Sequence, residues 1–190
     1  MAHNLKGDIY MKHPVKAIIA LVLRLYFGYE FLTAGIEKWQ TGFDAKAVGG
    51  FLKGGLAQTH DALLASKGAA AATHANVTDT WAWLINHVFL PNAGIFSFVV
   101  KSGEVLVGLG LILGCFTTLA AFFAITMNFC YLLTGTVSTN PQMVLGFLII
   151  ISLGAASYEI GLDRFFMKTL IAKFPRLSKG YLRTLFPIEQ

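Results

Sequence analysis

Apolar residues run through this chain in long stretches, and most polar residues are gathered between them. Four windows, at about residues 15–39, 92–114, 117–135 and 141–158, come close to or exceed the roughly 20 mostly apolar residues that cross a bilayer as a helix. The pattern predicts an all-α integral membrane protein, a four-transmembrane-helix bundle. The segment between the first two windows, residues 40–91, reads differently. In FDAKAVGGFLKGGLAQ, Phe43, Ala47, Phe51 and Leu56 recur at helical spacing, broken by Gly49-Gly50 and Gly54-Gly55. Residues 80–90 resume the pattern with Trp81, Leu84, Ile85 and Val88, behind Thr78 or Asp79 as N-cap. With Trp39, Trp81 and Trp83 suited to a membrane–water interface, one or two short amphipathic helices on the outer face are expected. SKGAAAATHANVTD is of low complexity and is expected to be a mobile connector. The membrane domain is expected to span residues 1–163. Residues 164–190 set Phe165, Phe166, Leu170, Ile171 and Phe174 among basic residues, and read as an amphipathic cytoplasmic tail.

Composition agrees with the pattern. Of 190 residues, 55% are hydrophobic and 13% charged, and the mean hydropathy of +0.62 is too high for a soluble domain of this size. The polar start, MAHNLKGDIYMKH, carries no cleavable signal, so the first helix is expected to act as an uncleaved insertion signal. Lysine and arginine sit at the two ends: Lys6, Lys12 and Lys16 within the first sixteen residues, and Arg164, Lys168, Lys173, Arg176, Lys179 and Arg183 after the last window. An even number of spans then places both termini in the cytoplasm of a plasma (inner) membrane. The net charge of +5 is explained by these ends facing anionic lipid, with no role for nucleic acid. Cys115 and Cys130 form no CxxC and lie too far apart along one helix for a disulfide. None of the five histidines falls within a predicted span, so neither a metal site nor a haem is expected.

The unusual feature is RLYFGYEFLTAGIEKW at residues 24–39, an apolar helix carrying Arg24, Glu30, Glu37 and Lys38. Arg24, Gly28, Phe31, Gly35 and Lys38 fall within roughly 80° on a helical wheel. The glycines in that stripe allow another helix to approach closely. The second window supplies Lys101 and Glu104. Counting from the cytoplasmic boundary at ~1.5 Å per residue puts Arg24 at ~12 Å and Glu104 at ~15 Å, with Glu30 and Lys101 both near ~20 Å. That register predicts two ion pairs, Arg24–Glu104 and Glu30–Lys101. A charge at mid-bilayer costs about 2.5–3.5 kcal/mol on insertion scales, so such residues must face inward and pair or line a polar pocket. Asn128 in the third window lies at similar depth, where an amide more often serves as helix–helix glue than as a ligand group.

These motifs resemble the DoxX/DoxD superfamily. The first helix has an arginine, a glycine four residues on, and an apolar-G-x-x-K ending; KSGEVLVGLGLILGCFTTLA resembles the second helix and turn, with Glu104 and Gly108; GLDRFF resembles the closing glycine–aspartate–arginine motif. The long outer segment is closer to the DoxD type. The resemblance implies the membrane subunit of a thiosulfate:quinone oxidoreductase. Such a subunit works with a second, DoxA-like subunit and passes electrons from thiosulfate at the outer face to a diffusible membrane quinone.

On this reading Glu30, Lys101 and Glu104 are the expected catalytic groups. Arg24, Lys38, Tyr29, Phe31, Asn128 and Tyr131 are expected to bind substrate, and Gly28, Gly35, Gly108 and Asp163 to be structural. The residues leave two other readings open: a non-enzymatic scaffold recruiting soluble redox or stress proteins through the basic tail, and a small-solute or proton pathway. Membrane lipid is the expected surrounding partner, and a homo-oligomer is also compatible with the chain.

Overall fold

A computed structural model describes residues 11–179 and 182–187, apart from the side chains of Phe166, Lys168, Ser178 and Arg183. The expected basic N-terminus therefore lies partly outside the described residues. Regular structure among them is helical, with one isolated β-bridge between Thr59 and Val77.

Helix α1, Pro14–Gln40, starts with a proline at its first turn, where the missing N–H has no intrahelical partner to lose. It is 27 residues long, about 40 Å. A cap segment follows, made of α2 (Ala45–Leu56), α3 (His60–Lys67), α4 (Ala69–Ala72) and α5 (Asp79–Leu84), which continues into a π-helical turn at Ile85–Phe89. Then come α6 (Ala93–Leu113), α7 (Thr117–Leu133) and α8 (Asn140–Ser152). A 3-10 turn at Gly154–Tyr158 extends α8, and the tail forms α9 (Asp163–Lys173), a 3-10 turn at Pro175–Ser178 and α10 (Leu182–Leu185).

Two helices, α1 and α6, are long and apolar enough to cross a membrane, and α7 and α8 are shorter apolar helices. The core they share is Phe27 and Phe31 of α1, Val107 and Leu111 of α6, Ala120, Ala121 and Ala124 of α7, and Phe147 and Ile150 of α8. What lies outside that core is as telling. Val15, Val22 and Tyr29 on α1, Ile95 and Leu106 on α6, Phe123 on α7 and Leu145 on α8 are all more than half exposed. Large apolar side chains pointing outward from every helix are what a lipid environment, not water, stabilises.

Helices α1 and α6 run antiparallel and pack most tightly where α6 has glycine. A Cβ on Gly108 would lie 2.6 Å from the backbone nitrogen of Leu32, closer than any side chain tolerates. Gly28 faces Gly108, Leu111 and Ile112, and Gly35 faces Glu104 and Val105. The expected structural role of Gly28, Gly35 and Gly108 is thus a close helix contact. Gly108→Leu should push α1 off α6 and cost about 3 kcal/mol or more by overpacking, read as a lower unfolding midpoint in detergent. An unshifted midpoint would show that the contact is looser than described.

The cap segment departs from expectation in two ways. Helix α2 runs unbroken through both glycine pairs, capped by Asp44, whose carboxylate accepts from the amides of Lys46 and Ala47. Its buried face is Val48, Leu52 and Gly55 rather than the predicted line through Phe51. The low-complexity connector is largely structured. It completes α3, forms α4, buries Ala72 and Val77, and is held by a hydrogen bond from Asn76 to Gln58. Val48, Leu52, Val77, Ile85 and Ala93 form a second apolar core, with Phe43, Trp81, Phe89 and Phe96 against it. The apolar residues of residues 40–91 thus largely pack on one another. Thr78 caps α5, as the spacing predicts.

Candidate functional site

The charged residues of α1 separate into two places, one near each end of the bundle. At one end, Arg24 is 1% exposed. Its Nε donates to the carbonyl of Leu111 at 3.0 Å, and one terminal nitrogen donates to Ser157 at 2.9 Å and Ile160 at 2.6 Å. These carbonyls belong to the C-terminal turn of α6, where Leu111 also accepts the Gly114 amide, and to the segment around the 3-10 turn. Asp163 completes the node. Its carboxylate accepts the amides of Phe116 (2.6 Å) and Thr117 (2.9 Å), so it caps α7 from a different part of the chain. Burial holds the Asp163 carboxyl above the usual carboxylate range, and the bonds from Thr117 and Phe116 and the positive charge of Arg24 offset only part of that rise. Gly161, at φ +130°, sits against Gly114 where the two segments cross.

The predicted Arg24–Glu104 pair is therefore not formed, and neither is Glu30–Lys101. Glu104 instead takes Lys38, whose Nζ lies 2.9 and 2.7 Å from the two carboxylate oxygens. Lys101 turns outward along the bundle, 4.1 Å from the centre of the Trp39 ring and 3.5 Å from the carbonyl of Phe43. The physical reason is register. Depth counting treated the cytoplasmic ends of α1 and α6 as level, whereas the contact of Gly108 with Leu32 slides them by about ten residues, nearly three turns. Helical side chains also lean toward their own N-terminus, which carries Arg24 further from Glu104.

At the other end of the bundle, Glu104 sits beside a cavity of about 130 Å³. All four apolar helices line it: α1 with Glu30, Phe31 and Ala34, α6 with Glu104, α7 with Asn128 and Tyr131, and the start of α8 with Asn140 and Met143, beside Thr139. Tyr131 donates its hydroxyl to Glu104 Oε1 at 2.9 Å. Asn128, 1% exposed, donates its Nδ2 to the Ala124 carbonyl within its own helix, and its Oδ1 has no partner among the described residues. Asn128 thus does not act as glue between helices. Glu30 is half-buried and Thr139 exposed, so the cavity opens between α1 and the α7–α8 turn. Phe31, one of the lining residues, packs edge-on against Phe147, with ring centres 5.5 Å apart. The cap closes over this end: Phe51 meets the Tyr131 ring edge-on, and Trp81 Nε1 donates to Thr134 at 3.0 Å.

Of the expected site residues, the structure gathers Glu30, Phe31, Glu104, Asn128 and Tyr131 around one cavity and bonds Lys38 to it through Glu104. Arg24 is at the opposite end, Lys101 stacks on Trp39, and Tyr29 is 61% exposed on the outer surface of α1. Ala34, Thr139, Asn140 and Met143 were missed. The one signal for them is the S-T-N-P turn, where Asn140 precedes Pro141 at the first turn of an apolar helix.

The family model for DoxX matches residues 19–136. The chain belongs to the DoxX family. The match takes in Arg24, Glu30, Lys38, Glu104, Asn128 and Tyr131, and with the outward apolar faces it makes this DoxX chain a membrane protein. It stops short of Thr139, Asn140, Met143 and Asp163. Comparison with curated proteins and with solved structures gives no match.

Proposed function

We propose that this DoxX protein is a four-span, DoxD-like membrane subunit of a quinone-coupled oxidoreductase, with the cavity beside Glu104 as its quinone site. The observation that carries the proposal is the meeting of titratable and aromatic side chains, Glu30, Glu104, Tyr131 and Phe31, in one ring-sized space lined by all four apolar helices. Helix α7, about 25 Å long, and α8, about 20 Å long and followed by the 3-10 turn at Gly154–Tyr158, would be the two further spans. Both termini face the cytoplasm, and the cap lies outside.

Phe31 and Met143 would hold the quinone ring, and the quinone supplies acceptance of two electrons and two protons. Glu104 keeps Lys38 and Tyr131 in place and is the group through which a proton at the cavity can reach the Lys38 end. Glu30 is the titratable group at the mouth. The proposed electron donor is a small sulfur anion such as thiosulfate, two of which give one tetrathionate and two electrons. Lys38 is neutralised by Glu104, so Lys101, which has no carboxylate partner among the described residues, is the cation that favours an anion at the outer end. A second, DoxA-like subunit or a homo-oligomer would complete the assembly.

The test compares membranes with and without the protein for thiosulfate-dependent quinone reduction, together with binding of a quinone analogue to the purified protein in lipid nanodiscs. Analogue binding and a protein-dependent rate are expected. Equal rates with no binding would remove the proposal.

A further inference from the structure

The outward face of α1 differs from those of the other apolar helices. Midway along it, Tyr26 and Tyr29 are each more than half exposed, and Thr33 and Glu37 continue the same line. On a helical wheel this line lies opposite the buried face of Arg24, Phe31 and Gly35. At ~1.5 Å per residue, Tyr26 and Tyr29 lie ~15–20 Å from both Lys16 and Trp39, which mark the two ends of the span. That is the middle of a hydrocarbon core about 30 Å thick. The Thr33 hydroxyl is satisfied within its own helix, donating to the Tyr29 carbonyl at 2.8 Å. The exposed hydroxyls of Thr126 on α7 and Ser152 on α8 do the same, toward Phe122 and Ile149. The Tyr26 and Tyr29 hydroxyls have no hydrogen-bond partner among the described residues, and a rigid ring holds each oxygen away from its own helix. Hydrocarbon offers no partner either, so polar groups at this depth mark contact with another helix.

We infer that this face of α1 is the interface with a second copy of the chain, the Tyr26 and Tyr29 hydroxyls of one copy bonding to those of the other. The chemistry of the line fits its own twin. A tyrosine hydroxyl both donates and accepts, and a twofold axis along the membrane normal sets each residue of the line against itself or its neighbour. The O–H···O bonds then close with no group of a different kind. Val22, Tyr26, Tyr29, Thr33 and Ile36 follow one another at alternating spacings of four and three, the seam along which two parallel helices mesh. Glu37, two residues from Trp39, comes near its copy at the headgroup level, where water solvates both carboxylates. Glu30 sits on the flank of the line and also lines the cavity, so the second copy stands beside the cavity mouth. The inference gives Tyr29 to association between copies rather than to substrate. It rests on α1 crossing a membrane and not on the quinone-coupled reading.

The experiment mixes donor-labelled and acceptor-labelled full chain in liposomes and follows energy transfer as the protein-to-lipid ratio is lowered. Wild type should associate as a dimer. Tyr26→Phe/Tyr29→Phe removes only two outward oxygens and should weaken association roughly tenfold, with the unfolding midpoint unchanged. Independently, Thr33→Cys oxidised in the membrane should form a disulfide-linked dimer. Wild type should not form it, and neither should Phe123→Cys, which lies on the outward face of α7. A chain that stays monomeric at every ratio overturns the inference and leaves the face to a helix of another protein. Association unchanged by the double substitution, or cross-linking through Phe123→Cys and not Thr33→Cys, overturns the assignment to α1. None of these outcomes alters the test of quinone reduction.

Discussion

Replacing Arg24 with leucine should destabilise the protein by about 3–5 kcal/mol, a fall in the unfolding midpoint on the order of 10 °C for a chain of this size. Three carbonyls, those of Leu111, Ser157 and Ile160, lose a charged donor at once, and Asp163 loses the positive charge that offsets its burial. A buried acceptor stripped of its partner loses more than the net worth of the bond it made, because it has no water to return to. Arg24→Lys should recover only part of the loss. An ammonium is a point donor and cannot serve both the α6 carbonyl and the segment after α8 from the fixed fork of a guanidinium. Thermal unfolding in detergent, followed by loss of the monodisperse peak, measures both. A leucine variant melting within a degree or two of wild type would show that the node is incidental.

The second large effect concerns Glu104, which is 4% exposed. Glu104→Ala leaves the Lys38 ammonium without its carboxylate and the Tyr131 hydroxyl without its acceptor, and should cost about 2–4 kcal/mol. The lower bound applies because the Lys38 side chain is 27% exposed and can recover some solvation. Lys38→Met alone should also destabilise, by burying the Glu104 charge without its partner. The double variant Lys38→Met/Glu104→Met should be more stable than either single one, because removing both charges together removes the desolvation penalty with the attraction. A double-mutant cycle read by unfolding midpoints gives the coupling directly, and effects that simply add would mean that the pair seen at 2.7 Å contributes no coupling. On the proposed function, all three variants should also lose quinone reduction, including the double variant that regains stability.

Much of the fold could be read from the chain because the apolar windows are long and strongly bounded. The predicted limits 92–114 and 117–135 differ from the helices Ala93–Leu113 and Thr117–Leu133 by two residues or fewer, since the G-C-F turn and the G-T-V turn punctuate them. The glycine stripe of α1 was legible for the same reason: Gly28 and Gly35 have a regular spacing, and spacing is what a sequence displays. Partner choice was not. Which carboxylate meets which cation depends on how far α1 slides along α6, and that is set by contact between Gly108 and the Leu32 backbone, a short-range steric event.

The carbonyls that take Arg24 are invisible in sequence, since every residue has one and only a helix end leaves it unpaired. The cap misled for another reason. An alanine-rich run reads as featureless, yet alanine is the best helix former, and once Ala72 and Val77 found apolar neighbours the run ordered. The π-helical turn at Ile85–Phe89 carried no signal of its own, and nothing in the sequence marked where α5 would widen.

The crossing of the α6–α7 turn with the segment before Asp163 has a bearing on biogenesis. The amides of Phe116 and Thr117 wait for a carboxylate that follows them by more than forty residues. While the chain is being threaded into the bilayer, the corner between the second and third apolar helices therefore stays unsealed until the last one has emerged. A nascent chain halted before residue 157 would hold Arg24 without two of its three acceptors and the corner without its cap, a half-built state that quality-control proteases could recognise.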